Sequence, residues 1–127
     1  LTRITTPSFI LSCREDHIAP WKSTYAATQL YKGPVEFVLA ASGHIAGVVN
    51  PPEKQKYSHW IWTKKSSLPS TADEWFKSAS EQAGSWWPHW QKWHEQFMGD
   101  KVPARKPGGE KLKPMEDAPG SYVKVMG

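Results

Sequence analysis

The segment FILSCREDHIAPWKSTYAATQLYKGPVEFVLA, residues 9–40, decides the fold class of this chain. It opens and closes on short apolar runs, residues 9–13 and 35–40, which lack a helical period and therefore predict buried β-strands. Between them, Pro20 is suited to the first turn of a helix, and Gly33-Pro34 ends that helix. Its residues at helical spacing are Trp21, Tyr25, Thr28 and Tyr31. Strand, helix, strand predicts an α/β fold in which the two strands are parallel.

The second half of the chain predicts two further helices. Thr71 followed three residues later by Glu74 is a capping-box signature, and the helix it begins is expected to end at Gly84. Ser85 is expected to cap the next helix, on which aromatic residues recur so that they share one face. These residues are Trp86, Trp90, Trp93 and Phe97.

The remaining segments carry weaker signals. Residues 53–70 are polar with isolated aromatic residues, and no regular structure is predicted there. Residues 99–127 are rich in proline and glycine and predict an irregular tail, with an edge strand or docked segment at 121–125. We therefore divide the chain into a folded portion, residues 1–98, and a tail, residues 99–127.

Composition excludes several classes of protein. The chain has 127 residues, enough for one ordinary domain. Its net charge of +4 is divided into +2 for residues 1–62 and +2 for residues 63–127, so neither half is a basic nucleic-acid-binding domain and only the tail is locally basic. One cysteine and no charged-then-apolar leader predict a cytoplasmic protein rather than a disulfide scaffold. No apolar run approaches the roughly 20 residues of a membrane span.

Two polar residues follow the predicted parallel strands, at the ends where sites form in open α/β sheets. Asp16 lies just past the first strand, and His44 lies just past the second, 44 − 16 = 28 residues later. This is the chain order of the last two members of a nucleophile-acid-histidine triad. In such a triad the acid orients the imidazole, and the imidazole takes the proton of the nucleophile. The structural alternative is that Asp16 caps the helix near Pro20 and that His44 is an ordinary loop residue.

Cys13 has the chain position of a nucleophile but not its surroundings. A nucleophile elbow needs small residues two positions before and after the nucleophile, where this chain has Leu11 and Glu15. Cys13 is therefore expected to be a small buried hydrophobe of the strand, and a catalytic acid–histidine pair would need a nucleophile from outside this chain. No metal or cofactor is predicted either, because His89 and His94 are five residues apart rather than at the four-residue spacing of a helical zinc site.

Several blocks of this sequence resemble the C-terminal part of class I polyhydroxyalkanoate synthases. The most specific block runs from Gly43-His44 to Asn50-Pro51-Pro52 and is longer than the histidine loop of a generic hydrolase. The other blocks are Arg14-Glu15-Asp16-His17-Ile18 with Pro20-Trp21, Ser58-His59-Trp60, Gly84-Ser85-Trp86-Trp87 with Trp90, Pro119-Gly120 and Tyr122-Val123-Lys124. The resemblance covers almost the whole chain.

The resemblance implies the C-terminal strand-helix-strand edge of an α/β-hydrolase-like fold, in an acyltransferase that polymerises (R)-3-hydroxyacyl-CoA into polyester with release of CoA. It implies that His44 is the triad histidine, which deprotonates a catalytic cysteine, and that Asp16 is the triad aspartate, with a role in deprotonating the 3-hydroxyl of the incoming acyl unit. His17, Ile45 and Ala46 are then expected to shape the substrate site, and the small Ala46 leaves room for the acyl chain. The cysteine elbow of the family is missing from this chain, which is expected to be inactive alone.

The resemblance also implies partners and a location. These are the N-terminal remainder of the synthase, a homodimer of the complete enzyme, hydroxyacyl-CoA, and the surface of polyester granules in the cytoplasm, with no cofactor beyond the CoA thioester substrate and no nucleic acid.

Two alternatives remain open. A non-catalytic binding or assembly module would use the Trp-rich surface, and it predicts that Asp16 and His44 are too far apart to hydrogen-bond. An α/β-hydrolase acting on related esters would use the same pair with water as the acceptor.

Overall fold

The computed structural model describes residues 1–109 and 111–126; Glu110 and Gly127, both in the predicted tail, lie outside the described residues. The chain divides into two compact units, Leu1–Phe97 and Met98–Gly127. In chain order, the elements of the first unit are β1 (Ser8–Cys13), α1 (Trp21–Tyr25), α2 (Ala27–Leu30), β2 (Val35–Ala40), α3 (Ala46–Val49), a 3₁₀ turn (Pro52–Lys54), β3 (Ser58–Ile61), α4 (Ala72–Ser78), β4 (Ser80–Ala83) and α5 (Trp87–Glu95). In the second unit a 3₁₀ turn covers Ser121–Lys124, so of the two alternatives for residues 121–125 the edge strand is wrong.

Four strands form one mixed sheet in the order β1-β2-β3-β4. β1 and β2 are parallel, in register from Ser8 opposite Val35 to Cys13 opposite Ala40. The predicted strand-helix-strand unit and the α/β class are therefore confirmed. β3 pairs antiparallel with β2, and β4 pairs antiparallel with β3, so this unit has two further strands on one side.

Neither β3 nor β4 was predicted from the sequence. β3 lies in the segment for which we expected no regular structure, and β4 lies in the segment that we assigned to the helix ending at Gly84. α4 instead ends at Ser78, and Ala79 turns to an extended conformation. Glu81 and Gln82 favour helix locally, but pairing with Trp60 and His59 of β3 overrides that preference.

Both faces of the sheet are covered, and alternate side chains of β2 are buried on opposite faces. Phe37 and Leu39 point to the face covered by α1 and α4, where they contact a buried cluster that includes Tyr25. Val38 and Ala40 point to the opposite face, where Trp86 at the start of α5 is buried with them. Because both faces are buried, this strand is apolar almost throughout rather than alternating.

The predicted helices are present with altered bounds. The helix after Pro20 is divided into α1 and α2 at Ala26, where the bonds tighten to the i to i+3 pattern of a 3₁₀ turn. The Thr71 cap of α4 is confirmed, since Thr71 Oγ1 accepts the Glu74 N–H at 3.3 Å, and Glu74 Oε2 accepts from the Thr71 hydroxyl at 2.9 Å. Ser85 Oγ accepts the Trp87 N–H at 3.2 Å, although the residue that precedes α5 is Trp86. In the part of the chain that the structure describes, no helix is long and apolar enough to cross a membrane.

Candidate active site

Asp16 and His44 meet at the carboxyl ends of β1 and β2. The last residues of the two strands, Cys13 and Ala40, lie opposite each other, so the loops that follow leave the sheet side by side. Asp16 Oδ2 and His44 Nδ1 are 2.7 Å apart. The structure thus brings together the two residues that the sequence analysis selected as an acid–base pair.

The Asp16 carboxylate is held by the backbone as well as by the imidazole. Its Oδ1 accepts the N–H groups of Ile18 at 2.8 Å and Ala19 at 2.9 Å. These bonds close the turn before α1, so Asp16 is a turn residue here rather than the cap of that helix. The hydrogen bond from Ala19, together with that from His44, lowers the pKa of Asp16 from 3.8 to about 2. Asp16 is therefore a fixed negative charge at neutral pH, with a side chain only 7% exposed.

The His44 loop is fixed to the Asp16 loop through the backbone. The Ser42 carbonyl accepts the Glu15 N–H at 3.0 Å, and the Ala40 carbonyl accepts the Arg14 N–H at 2.8 Å. Ser42 has a φ of 72°, in the left-handed region, which costs roughly 1–2 kcal/mol for a residue with a Cβ. This turn directs the chain from β2 into the loop that carries His44.

Cys13 lies beneath the site as a buried residue of β1. The residue is 2% exposed in β1, as predicted for a buried strand residue. Burial, with a smaller effect of the Asp16 charge, raises the pKa of Cys13 to about 11. The thiol therefore stays protonated at neutral pH, and the thiolate is the form that attacks.

Arg14 contributes a contact that the sequence analysis missed. Its guanidinium lies 5.2 Å from the ring centre of Trp60 and 5.0 Å from that of Phe76. Cation–π contacts of this kind contribute about 0.5–1 kcal/mol at exposed sites, and here they hold the end of β1 against β3 and α4. No local pattern signals the contact, because its aromatic partners are distant in sequence.

The three residues predicted to shape the substrate site fall in two places. Ile45 is 73% exposed, and Ala46 is the first residue of α3. Both line a cavity of about 380 Å³, and neither Asp16 nor His44 is one of its lining residues. The other residues of its lining are Val49, Asn50, Pro51, Lys54, Lys56 and Tyr57. His17 is exposed in the Asp16 turn and is not one of the residues that line this cavity.

This arrangement is suited to general-base chemistry. Asp16 engages Nδ1, and the His44 side chain is 50% exposed, so Nε2 is the nitrogen that can act on a group from outside this chain. The described residues include no group of three or more His, Cys, Asp or Glu side chains that could hold a metal ion. A nearly buried aspartate that holds a half-exposed imidazole is the arrangement with which an acid–histidine pair can activate a nucleophile.

Comparison with known proteins identifies the relatives of the chain. No protein-family model matches it. It is 51% identical, over 97% of its length, to "Poly(3-hydroxyalkanoate) polymerase subunit PhaC" of Rhizobium etli, and 46% identical, over 98%, to the protein of the same name from Cupriavidus necator. It is 35% identical, over 97%, to "Poly(3-hydroxyalkanoate) polymerase 1" of Ectopseudomonas oleovorans. The chain spans 19%, 21% and 22% of the lengths of these three relatives. They confirm the predicted resemblance to the C-terminal part of a polyhydroxyalkanoate synthase.

Proposed function

We propose that this chain supplies the acid and the base of an acyl-transfer site that polymerises (R)-3-hydroxyacyl-CoA into polyester with release of CoA. In this proposal residues 1–98 are the C-terminal edge of an α/β-hydrolase-like catalytic domain, and residues 99–127 are its tail. The observation that carries the proposal is the 2.7 Å contact between Asp16 Oδ2 and His44 Nδ1 at the ends of two parallel strands. The relatives are named as poly(3-hydroxyalkanoate) polymerases, which supports a 3-hydroxyalkanoate polyester as the product.

His44 acts on both half-reactions. Its Nε2 takes the proton of a catalytic cysteine that lies outside this chain, and the resulting thiolate attacks the thioester carbonyl of the hydroxyacyl-CoA. The bond from the carbonyl carbon to the CoA sulfur breaks, and the imidazolium returns the proton to the departing CoA thiolate. In the second half-reaction a hydroxyl group of an acyl unit gives its proton to the imidazole and attacks the carbonyl carbon of the acyl-enzyme. The bond from that carbon to the cysteine sulfur breaks, the ester forms, and the imidazolium returns the proton to the cysteine.

Asp16 acts through His44 in this scheme. Its carboxylate fixes the proton on Nδ1 and stabilises the imidazolium that forms when Nε2 takes a proton. A direct role in deprotonating the substrate hydroxyl is less well supported, because a carboxyl group with a pKa of about 2 is a weak base and the side chain is only 7% exposed.

The structure favours this proposal over an assembly module. That alternative predicts that Asp16 and His44 are too far apart to hydrogen-bond and that the Trp face is exposed. The 2.7 Å contact contradicts the first expectation. For the second, Trp86 at the start of the stripe is 7% exposed, whereas Phe97 at its end is 50% exposed. An ester hydrolase would use the same pair and differs only in its acceptor, so the reaction product distinguishes the two enzymes.

Partners and location follow from the proposed activity. We propose that the N-terminal remainder of the synthase completes the site, that the complete enzyme is a homodimer, and that it works at the surface of polyester granules in the cytoplasm. The CoA thioester is a substrate in this scheme, and no cofactor is needed. We propose that Ile45 and Ala46 contact the acyl chain and that His17 lies near it.

The test is an assay of CoA release from (R)-3-hydroxybutyryl-CoA. We expect no turnover by this chain alone and polymer formation when the chain is joined to the N-terminal remainder of a synthase. Turnover by the chain alone would mean that its nucleophile is internal and would overturn the interpretation of Cys13. Free 3-hydroxybutyrate as the main product would assign the site to a hydrolase.

A further inference from the structure

Helix α3 is directly connected to His44. Its first backbone bonds run from the Gly47 N–H to the Gly43 carbonyl at 3.0 Å and from the Val49 N–H to the Ile45 carbonyl at 2.9 Å. The two acceptors flank His44 in the chain. A displacement of α3 therefore displaces the backbone that carries the imidazole.

The two residues that follow α3 by one helical turn cannot donate hydrogen bonds to its last carbonyls. In a continuing helix, the carbonyls of Gly47 and Val48 would accept the N–H groups of residues 51 and 52. Those residues are Pro51 and Pro52, and proline has no backbone N–H. The end of α3 therefore takes its hydrogen-bond donors from outside the helix.

Two indole groups supply the donors for Val48. Trp86 Nε1 and Trp87 Nε1 each donate to the Val48 carbonyl at 3.1 Å. Their rings are stacked, with centres 4.7 Å apart and planes inclined by 26°. Since a carbonyl oxygen has two lone pairs, the two indoles satisfy this acceptor completely.

The indole pair is itself anchored to the sheet. Trp86 is buried against Cys13, Val38 and Ala40, the face of the sheet that leads to the site. The Trp87 backbone N–H is held by Ser85. The end of α3 is thus fixed to the strand ends from which the Asp16 and His44 loops leave.

We propose that Trp86 and Trp87 are positioning residues for His44, acting by capping the Val48 carbonyl. They do not touch the reacting atoms; they hold α3 so that the imidazole Nδ1 stays within hydrogen-bond distance of Asp16. This inference deepens the proposed acyl-transfer function and rests on it.

The experiment uses the complete synthase with Trp86→Phe, Trp87→Phe and the double substitution. Phenylalanine keeps an aromatic ring and removes the indole N–H. Because both donors serve one carbonyl, each single variant should lower kcat by about threefold and the double variant by about 30-fold or more, with KM little changed. Trp90→Phe is the matched control: it also removes an indole N–H, from a ring that packs against Trp87 at 5.8 Å, and it should lower kcat by less than twofold.

A second measurement distinguishes a displaced His44 from a general loss of structure. The downfield NMR signal of the His44 Nδ1 proton reports its bond to Asp16 without any need for turnover. We expect this signal to weaken in the double variant and to persist in Trp90→Phe. A folded double variant with the control's kcat and an unchanged signal would overturn the proposal.

A single substitution can replace the double variant if the double variant does not fold. If the double variant does not fold, Trp87→Phe replaces it, because Trp87 is 38% exposed and tolerates the change more readily than buried Trp86. A kcat equal to that of Trp90→Phe would then overturn the proposal. If His44→Ala proves active, the acyl-transfer function fails instead, while the NMR signal still reports whether the indoles position the imidazole.

Discussion

Replacing Gly47 by alanine tests how closely α3 must approach the sheet. A Cβ at this position would lie 2.5 Å from the Ala41 carbonyl oxygen and 2.6 Å from Cys13 Sγ. Ordinary contacts begin at 3.4 Å, so the overlaps are 3.4 − 2.5 = 0.9 Å and 3.4 − 2.6 = 0.8 Å. The first neighbour is backbone and cannot turn aside, so α3 must retreat by about the overlap. Overpacking of this kind costs about 1–3 kcal/mol of unfolding free energy.

The displacement should reach His44, three residues before Gly47. A misplacement of about 1 Å can cost roughly 100-fold in rate, so we expect Gly47→Ala in the complete synthase to lower kcat by that order. CoA release from (R)-3-hydroxybutyryl-CoA measures the rate, and thermal unfolding measures the stability. Cys13→Ala in the same chain removes one of the two clashes and should recover part of both.

Gly43→Ala is the matched control for this prediction. The nearest atom to a Cβ at Gly43 is the Glu15 carbonyl oxygen at 3.8 Å, an ordinary contact, so this variant should keep most of its activity. If Gly47→Ala were as active and as stable as Gly43→Ala, the inferred link between the packing of α3 and the position of His44 would be refuted.

Three further predictions concern charge, capping and the core. The folded pKa of Asp16 is depressed, so its contribution to stability is complete above pH 3.8 and is lost as the pH falls toward about 2; unfolding midpoints across this range should fall more steeply in the wild type than in Asp16→Asn. Thr71→Ala removes the cap of α4 and should cost about 1 kcal/mol in urea unfolding, whereas Ser66→Ala should cost little. Trp75 is 0% exposed, and Trp75→Ala should cost about 3–5 kcal/mol in the same assay; a loss below 1 kcal/mol would contradict its place in the core.

The sequence predicted the fold best where a single local pattern was strong. The run at residues 35–40, apolar except for Glu36, predicted a buried strand, and the parallel pairing of β1 with β2 follows from the intervening helix. The same pairing explains why Asp16 and His44 could be selected together: residues that follow neighbouring parallel strands emerge at one edge of the sheet. These inferences need only local patterns and one topological rule.

The features that were missed depend on distant partners. Residues 80–83, Ser-Glu-Gln-Ala, have no strand pattern of their own and become β4 only because β3 offers a pairing edge. The indole bonds to Val48 join residues 38 and 39 positions apart, and only the absence of donors in Pro51-Pro52 hints that they are needed. Sequence reasoning selected Asp16 and His44 together but did not find the two indole groups that donate to the Val48 carbonyl.

The central claim is that His44 is the base that activates the nucleophile of the synthase. The most direct measurement is the rate at which the complete enzyme becomes acylated by (R)-3-hydroxybutyryl-CoA in a single turnover, compared between the wild type and His44→Ala. Positioned acid–base groups contribute roughly 10²–10⁴-fold, so we predict a loss of that size in the acylation rate with substrate binding retained. Acylation of a folded His44→Ala enzyme at the wild-type rate would contradict the account.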